Sequence, residues 1–339
     1  MQITPTNLPT KTLSSNHCKT SMATTQELPK IPIFDLSTKN LSPSSCSWLP
    51  TCKSLQEALE EFGFFLAKYE NVSSQLDKQV FHVLEQVFNL PFETKSRNTS
   101  DLVFYGYVGK LPHAPVHESM GIPEATTLDA VQSFTNLMWP SGNKEFCENI
   151  LCYARLVSEM EQLVDKMVFE SYGAEKHHDS HVGSTTYLLR TIKYSVPELD
   201  ADNGSNMGTN IHTDKSFLSI LHQNQVNGLQ IQLRNGEWLD IDVPPGLFVV
   251  MAGDAYEVWS NGRIYAAKHQ VIMKADKPRY CLAMFSFNHG IINIPEELVD
   301  DEHPLQFKPF DHFELARFYL SGATSMTEST AKAYCGVMA

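Results

Sequence analysis

The sequence predicts a mixed α+β protein with a jelly-roll (double-stranded β-helix) core, a mainly helical N-terminal part and a C-terminal helix. Three observations predict it. Up to Tyr172 the apolar residues recur at helical spacing; from Thr185 they fall into short β-rich runs; and turn residues separate those runs at fairly even intervals. Many short strands so spaced suit a sandwich or a jelly-roll barrel.

The elements follow in order. "IPIFDLS" (31–37) alternates apolar and polar residues and reads as a first strand. Ser54 and Glu57 have capping-box spacing, followed by Leu59, Phe62 and Phe65 on one helical face. Leu76, Val80, Val83, Leu84 and Val87 mark a second helix that ends before Pro91. "FYGYVG" (104–109) reads as a strand, and 110–142, with prolines at 112, 115, 123 and 140, as irregular chain. The longest helix runs from about Lys144 to Tyr172, with Phe146, Ile150, Tyr153, Val157, Met160, Val164 and Met167 as its core stripe and Gly173 as its stop. Strands are then read at 185–196, 209–214, 216–223, 228–234, 237–243, 247–253, 256–261, 265–274 and 279–287, with Asn235-Gly236 and Asn261-Gly262 as hairpin signals. A last helix falls near 310–320. The expected parts are a disordered extension (1–30), a mainly helical part (31–184), the jelly-roll core (185–290) and a C-terminal segment (291–339).

Composition excludes some functions. With 339 residues, 42% of them hydrophobic, the chain can bury a large core. A formal net charge of −13 argues against a general nucleic-acid binder, which needs a basic footprint. The chain has no apolar run of membrane-spanning length. Seven scattered cysteines with no C-x-x-C pair suggest neither a zinc knuckle nor a disulfide framework, so a reducing, cytoplasmic setting is expected. The first thirty residues are rich in Ser and Thr with no acid before Glu27, as in an organelle transit peptide. They lack Arg and an amphipathic period, and so read as a disordered tail, with the true start at either Met1 or Met22.

The chemistry is concentrated in "TNIHTD". His212 and Asp214, one residue apart, share a face of a strand within an otherwise apolar stretch. A metal would explain them, given a third ligand. His177, His178 and His181 sit in "EKHHDSH", read as a solvated loop; His222 and His289 read as ordinary polar residues near strand ends. His269 lies on a late strand, and distant strands become neighbours in a jelly roll. Two imidazoles and one carboxylate on one face of an octahedral ion leave three positions open, the pattern of non-haem Fe(II) oxygenases. Ten residues on, Arg279 opens a strand, and its planar fork suits the far carboxylate of a chelating 2-oxo diacid. Tyr194 could add a hydroxyl to the same group.

These residues, with "FGFFLAKYENV", "LPFETKSRN", "YGYVG", "NGLQIQ", "NGEWLDIDVPPGLFVVMAGDAYEVWSNGRI" and "KHQV", resemble a plant 2-oxoglutarate- and Fe(II)-dependent dioxygenase from about Ile31 onward. "HESMGI", "SFTNLMWPSGN" and "AYCGV" resemble its AOP-like clade. The resemblance implies Fe(II) held by His212, Asp214 and His269, and 2-oxoglutarate held by Arg279 with help from Tyr194. It also implies ascorbate as a reductant, and oxidation of a small plant specialised metabolite by hydroxylation, desaturation, ring formation or O-demethylation. Gln270 and Cys281 depart from the family's usual Arg and Ser, and Cys281 stands where a co-substrate hydroxyl would be. Substrate contacts are expected from Tyr107, Phe134, Trp139, Phe217 and Phe287. The expected partners are dioxygen and a largely apolar small molecule, with no nucleic acid, no membrane and a monomeric state. The alternative is a non-catalytic small-molecule binding protein on the same scaffold.

Overall fold

The computed structural model describes residues 30–37, 41–197, 206–322 and 329–337. The tail expected before Ile31, with Cys18 and Met22, lies outside the described residues. The strands of the two main sheets are β1 (Ile33–Asp35), β2 (Phe64–Lys68), β3 (His117–Pro123), β4 (Thr185–Tyr194), β5 (Met207–His212), β6 (Leu218–Gln223), β7 (Leu229–Gln232), β8 (Trp238–Asp240), β9 (Leu247–Ala252), β10 (His269–Ile272) and β11 (Arg279–Asn288). Two sheets result. The larger has the order β1-β2-β9-β6-β11-β4-β3, and the smaller β5-β10-β7-β8. This is the jelly-roll architecture, with sequence-distant strands paired across each sheet. The central strand β11 is buried along nearly its whole length. One of its faces meets helices and the other meets the interior between the sheets, which is why it reads as a continuous apolar run rather than an alternating one.

The helices are α1 (Trp48–Glu61), α2 (Ser74–Phe88), α3 (Phe92–Lys95), α4 (Leu128–Met138), α5 (Lys144–Ser171), α6 (His178–Ser184), α7 (Asp254–Trp259), α8 (His312–Leu320) and α9 (Thr330–Cys335). The second helix and the long α5 form where their apolar spacing predicts. Asn143 caps α5 by accepting from the Phe146 amide at 3.0 Å, and Gly173 ends it at φ +68°. Together α1, α2 and α5 back the larger sheet, and their apolar faces join one continuous core with it.

Several local expectations are corrected. The first helix starts at Trp48, so Ser54 and Glu57 lie inside it; the fully buried Trp48, whose Nε1 donates to Glu170 at 2.5 Å, anchors the earlier start. "FYGYVG" is a 3-10 turn followed by one bridge from Val108 to Ser119, because the Tyr107 amide is drawn to the Asn98 carbonyl at 2.6 Å. The stretch 110–142 holds β3 and α4. Its prolines flank those elements without interrupting them, apart from Pro123 at the end of β3. "YEVWSN" lies in the short helix α7 and the turn after it; Asn261 (φ +55°) and Gly262 (φ +81°) close that helix and make no hairpin. The Asn235-Gly236 turn does join β7 to β8, through a longer loop that ends with Gln232 opposite Trp238. His181 is buried on α6, its Nε2 3.3 Å from Asp165, and His222 is buried 3.1 Å from Asp77. Both are partnered core histidines, and the stretch around His181 is not a solvated loop. Among the described residues no helix is long and apolar enough to cross a membrane.

One contact ties the C-terminal segment to the interior. His312, fully buried at the start of α8, donates from Nε2 to the Lys215 carbonyl at 2.6 Å and accepts the Asn288 amide on Nδ1 at 3.1 Å. Burial holds its pKa down to about 4, against an ordinary value of 6.5. The unfolded chain therefore takes up this proton first as pH falls, and the stability that the neutral ring contributes is lost between pH 6.5 and 4. In denaturant titrations from pH 7.5 to 5, the wild-type protein should lose about 2 kcal/mol more than His312→Gln. Equal losses would show that the ring does not stay neutral in the fold.

Candidate metal centre and its cavity

The smaller sheet assembles the centre. In the antiparallel pair β5–β10, His269 lies directly opposite His212. Such partners project to the same face, and the two rings sit 4.2 Å apart between centroids. Asp214 follows two residues later, just past the end of β5, so the loop and not strand alternation aims it. The loop is fastened at successive carbonyls: Asp214 to the Asp254 amide (2.8 Å), Lys215 to His312 (2.6 Å) and Phe217 to the Gly253 amide (2.9 Å). A buried ion pair reinforces it, Lys215 Nζ to Asp254 Oδ2 at 2.6 Å, with Lys215 also donating to the Thr213 carbonyl at 2.9 Å. Gly253 is required here, since a Cβ on it would clash with the Ser216 carbonyl.

Each imidazole turns Nδ1 toward a carbonyl of its own strand segment: His212 to Asn210 at 2.7 Å and His269 to Ala267 at 3.2 Å. Carbonyls only accept, so Nδ1 carries the proton and the Nε2 lone pairs are free. Both face Asp214 Oδ1, at 3.6 and 3.7 Å. Those gaps are too long for hydrogen bonds but suit three atoms around one cation. Ligand atoms of the three residues all lie within 4.8 Å of one another, and the buried Asp214 Oδ2 has no partner. Burial works against the Asp214 charge, yet His269 and His212 outweigh it and hold the carboxyl well below the usual carboxylate range. Burial and the neighbouring His212 hold His269 down to about 4, so it stays neutral as a ligand must. The donor set of two nitrogens and one carboxylate oxygen therefore fits Fe(II).

These residues open into a cavity of about 310 Å³ between the sheets, lined mostly by apolar side chains. Arg279 stands on its far wall, 1% exposed. Its Nε and Nη2 both donate to Gln223 Oε1, at 3.1 and 2.8 Å, and its guanidinium lies over the Tyr194 ring, 5.0 Å from the centroid. Among the described residues no carboxylate lies within ion-pair distance of it. Tyr194, opposite Arg279 in the β4–β11 register, bonds Thr209 Oγ1 at 3.2 Å. Cys281 also lines the cavity, its thiol pushed up by burial. Gln270 turns instead to Gln230 on the neighbouring strand, at 2.8 Å.

Of the five residues expected to meet substrate, the structure places Phe287 on this wall and the other four elsewhere. Phe134 and Trp139 pack on Phe146, Phe217 is fully buried among His181, Tyr256 and His312, and Tyr107 donates to Glu118 at 2.9 Å. The reason is shared: each belongs to an apolar face that meets the helical layer or its edge, not the space between the sheets. Sequence reasoning missed Gln223, which has no signal of its own, and the face of α8. Phe313, Ala316 and Tyr319–Leu320 line the cavity, and their helical spacing could have shown it.

Comparison with known proteins agrees with this geometry. Residues 171–288 match the 2OG-Fe(II) oxygenase superfamily, and residues 31–134 the N-terminal region of non-haem dioxygenases described for morphine synthesis. The probable 2-oxoglutarate-dependent dioxygenase AOP1 of Arabidopsis thaliana is 39% identical over 298 residues, covering 87% of this chain and 98% of that protein. The 2-oxoglutarate-dependent dioxygenase AOP3 of the same plant is 31% identical, covering 92% and 98%. The crystal structure of a rice dioxygenase for auxin oxidation superposes with a TM-score of 0.75 at 26% identity, covering 91% of this chain and all of that one. The chain therefore belongs to the AOP-like plant dioxygenases, and is an enzyme that uses Fe(II) and 2-oxoglutarate to oxidise a small organic substrate.

Proposed function

We propose that His212, Asp214 and His269 hold the iron, that Arg279 with Tyr194 receives the far carboxylate of 2-oxoglutarate, and that the substrate enters over the apolar wall closed by α8. The observation that carries this reading is a three-ligand cluster and an unpaired, fully buried guanidinium on facing walls of one cavity. A buried cation without an anion is costly, and a bound carboxylate removes that cost. When bound, Fe(II) and 2-oxoglutarate supply an oxygen-derived oxidant, with release of succinate and carbon dioxide.

The chain's own residues do the rest. The Nδ1 bonds to Asn210 and Ala267 fix both imidazole tautomers, and the fastened loop presents the ionised Asp214. Gln223 takes up two of Arg279's five N–H donors and sets the plane of its fork, leaving the remaining donors for a carboxylate. Phe285, Phe287, Phe313 and Leu320 keep the oxidising end dry and favour a largely apolar plant metabolite. Ascorbate fits as the reductant that returns the metal to its ferrous form, and a retained Asp214 favours oxygenation over halide transfer.

His212→Ala, Asp214→Ala and His269→Ala should each weaken anaerobic Fe(II) binding at least tenfold and abolish succinate formation. Wild-type iron affinity in any one of them removes that residue from the set. Arg279→Ala should raise the 2-oxoglutarate requirement at least tenfold, and Gln223→Leu by a smaller factor because it frees the fork without removing the charge. An unchanged co-substrate titration for Arg279→Ala would reassign the cation. Cys281→Ser should leave 2-oxoglutarate affinity nearly unchanged or tighten it by about 0.5–1.5 kcal/mol, the worth of one added hydrogen bond. A loss beyond tenfold would mean that Cys281 does not face the co-substrate.

A further inference from the structure

A second guanidinium is buried in the same cavity wall. Arg190 is 6% exposed and stands on β4 opposite Ala283 of β11, four residues along the strands from the row of Arg279 and Tyr194. The two rows are about 13 Å apart. Arg190 donates from Nη1 to the Phe104 carbonyl and from Nη2 to Ser119 Oγ, both neutral acceptors. Among the described residues no carboxylate lies within ion-pair distance of it. Three of its five N–H donors are left without an acceptor, and its charge meets the Phe104 ring, 5.6 Å from the centroid, and the field of Asp214, with no ion-pair partner in contact.

Its neighbours include further polar groups that can donate. His117 also lines the cavity, with Nε2 2.8 Å from the same Ser119 Oγ. Ser119 Oγ accepts from Arg190 and still has its own hydrogen to give to His117 Nε2; in that tautomer the ring's proton sits on Nδ1. That Nδ1 is buried without a partner, and so is the hydroxyl of Tyr105, the residue after Phe104, in the same wall. Buried donors left unmatched cost free energy, and an anion in the cavity would satisfy them together.

We infer that this wall is an anion subsite, and that the organic substrate is a carboxylic acid with an apolar body, its carboxylate received by Arg190 and His117. The inference rests on the iron and 2-oxoglutarate reading above, because that reading commits both carboxylates of the co-substrate: one at the metal ligands and one at Arg279. Neither is left for Arg190. The apolar body then lies along Leu188, Phe287 and Phe313, between the acid and the metal cluster.

The test uses the full-length protein held anaerobically with Fe(II) and saturating 2-oxoglutarate, so that Arg279 is occupied. Calorimetry compares 4-phenylbutyrate and octanoate with 4-phenylbutanamide and octanamide. Each acid should bind at least tenfold more tightly than its amide. Arg190→Gln should erase that preference, and Arg190→Lys, which keeps the charge without the fork, should retain part of it. Acid and amide binding alike, no acid binding at millimolar concentration, or an acid preference that survives Arg190→Gln would each overturn the inference. Should Arg190→Gln fail to fold, the wild-type preference and its reduction in Arg190→Lys decide. Succinate formation from 2-oxoglutarate by the aerated wild-type protein is read separately; its absence would fail the dioxygenase reading whatever the acids do.

Discussion

An ionised group placed between two packed sheets must be answered by an opposite charge, and the interior of this protein is arranged around that requirement. Asp214 faces the Nε2 atoms of two imidazoles, and a cation shared by all three would answer its charge. Lys215 is answered within the fold by Asp254 at 2.6 Å, and that pair also fixes the loop carrying Asp214. Arg279 and Arg190 meet neutral acceptors and the faces of Tyr194 and Phe104, with no carboxylate in ion-pair contact among the described residues. A fold keeps such groups buried where ligands can complete them, and this is the physical basis of the proposed anion positions at Arg279 and Arg190.

The same constraint explains the tight supports around the centre. Three neutral or ionised side chains converge within 4.8 Å only because β5 and β10 are paired with His269 opposite His212. A slip of one residue in that register would carry one imidazole to the other face of the sheet. The loop after β5 has no strand neighbour to hold it, and α7, His312 and the Lys215–Asp254 pair take that role. The C-terminal segment thus acts on the site twice: His312 fastens the loop, and the same helix, α8, closes the cavity with Phe313, Ala316 and Tyr319.

The cavity is apolar over most of its surface yet carries its donors at two separated rows of β4 and β11. That division suits two ligands, each with one charged end. On the proposed reading, specificity rests on which acid fits between Arg190 and the metal cluster, because a site built with buried donors rejects molecules that leave them unpaired.

The sequence by itself determined the fold class, the long helix and which three residues, His212, Asp214 and His269, come together within 4.8 Å. Amphipathic period, strand run length and the H-x-D spacing are local properties, and they survive without knowledge of contacts. It did not determine where the first helix begins, that "YEVWSN" contributes to a helix, or that the prolines between 110 and 142 border ordered elements. In those places short apolar runs fit either period, and tertiary burial of Trp48, Tyr256 and Trp259 decides between them. Tertiary structure alone also decided which aromatics meet the cavity, why Gln223 matters, and that Arg190 and His117 share one wall. A side chain's face is legible from its strand, but what lies across from that face depends on which distant strand the sheet brings beside it.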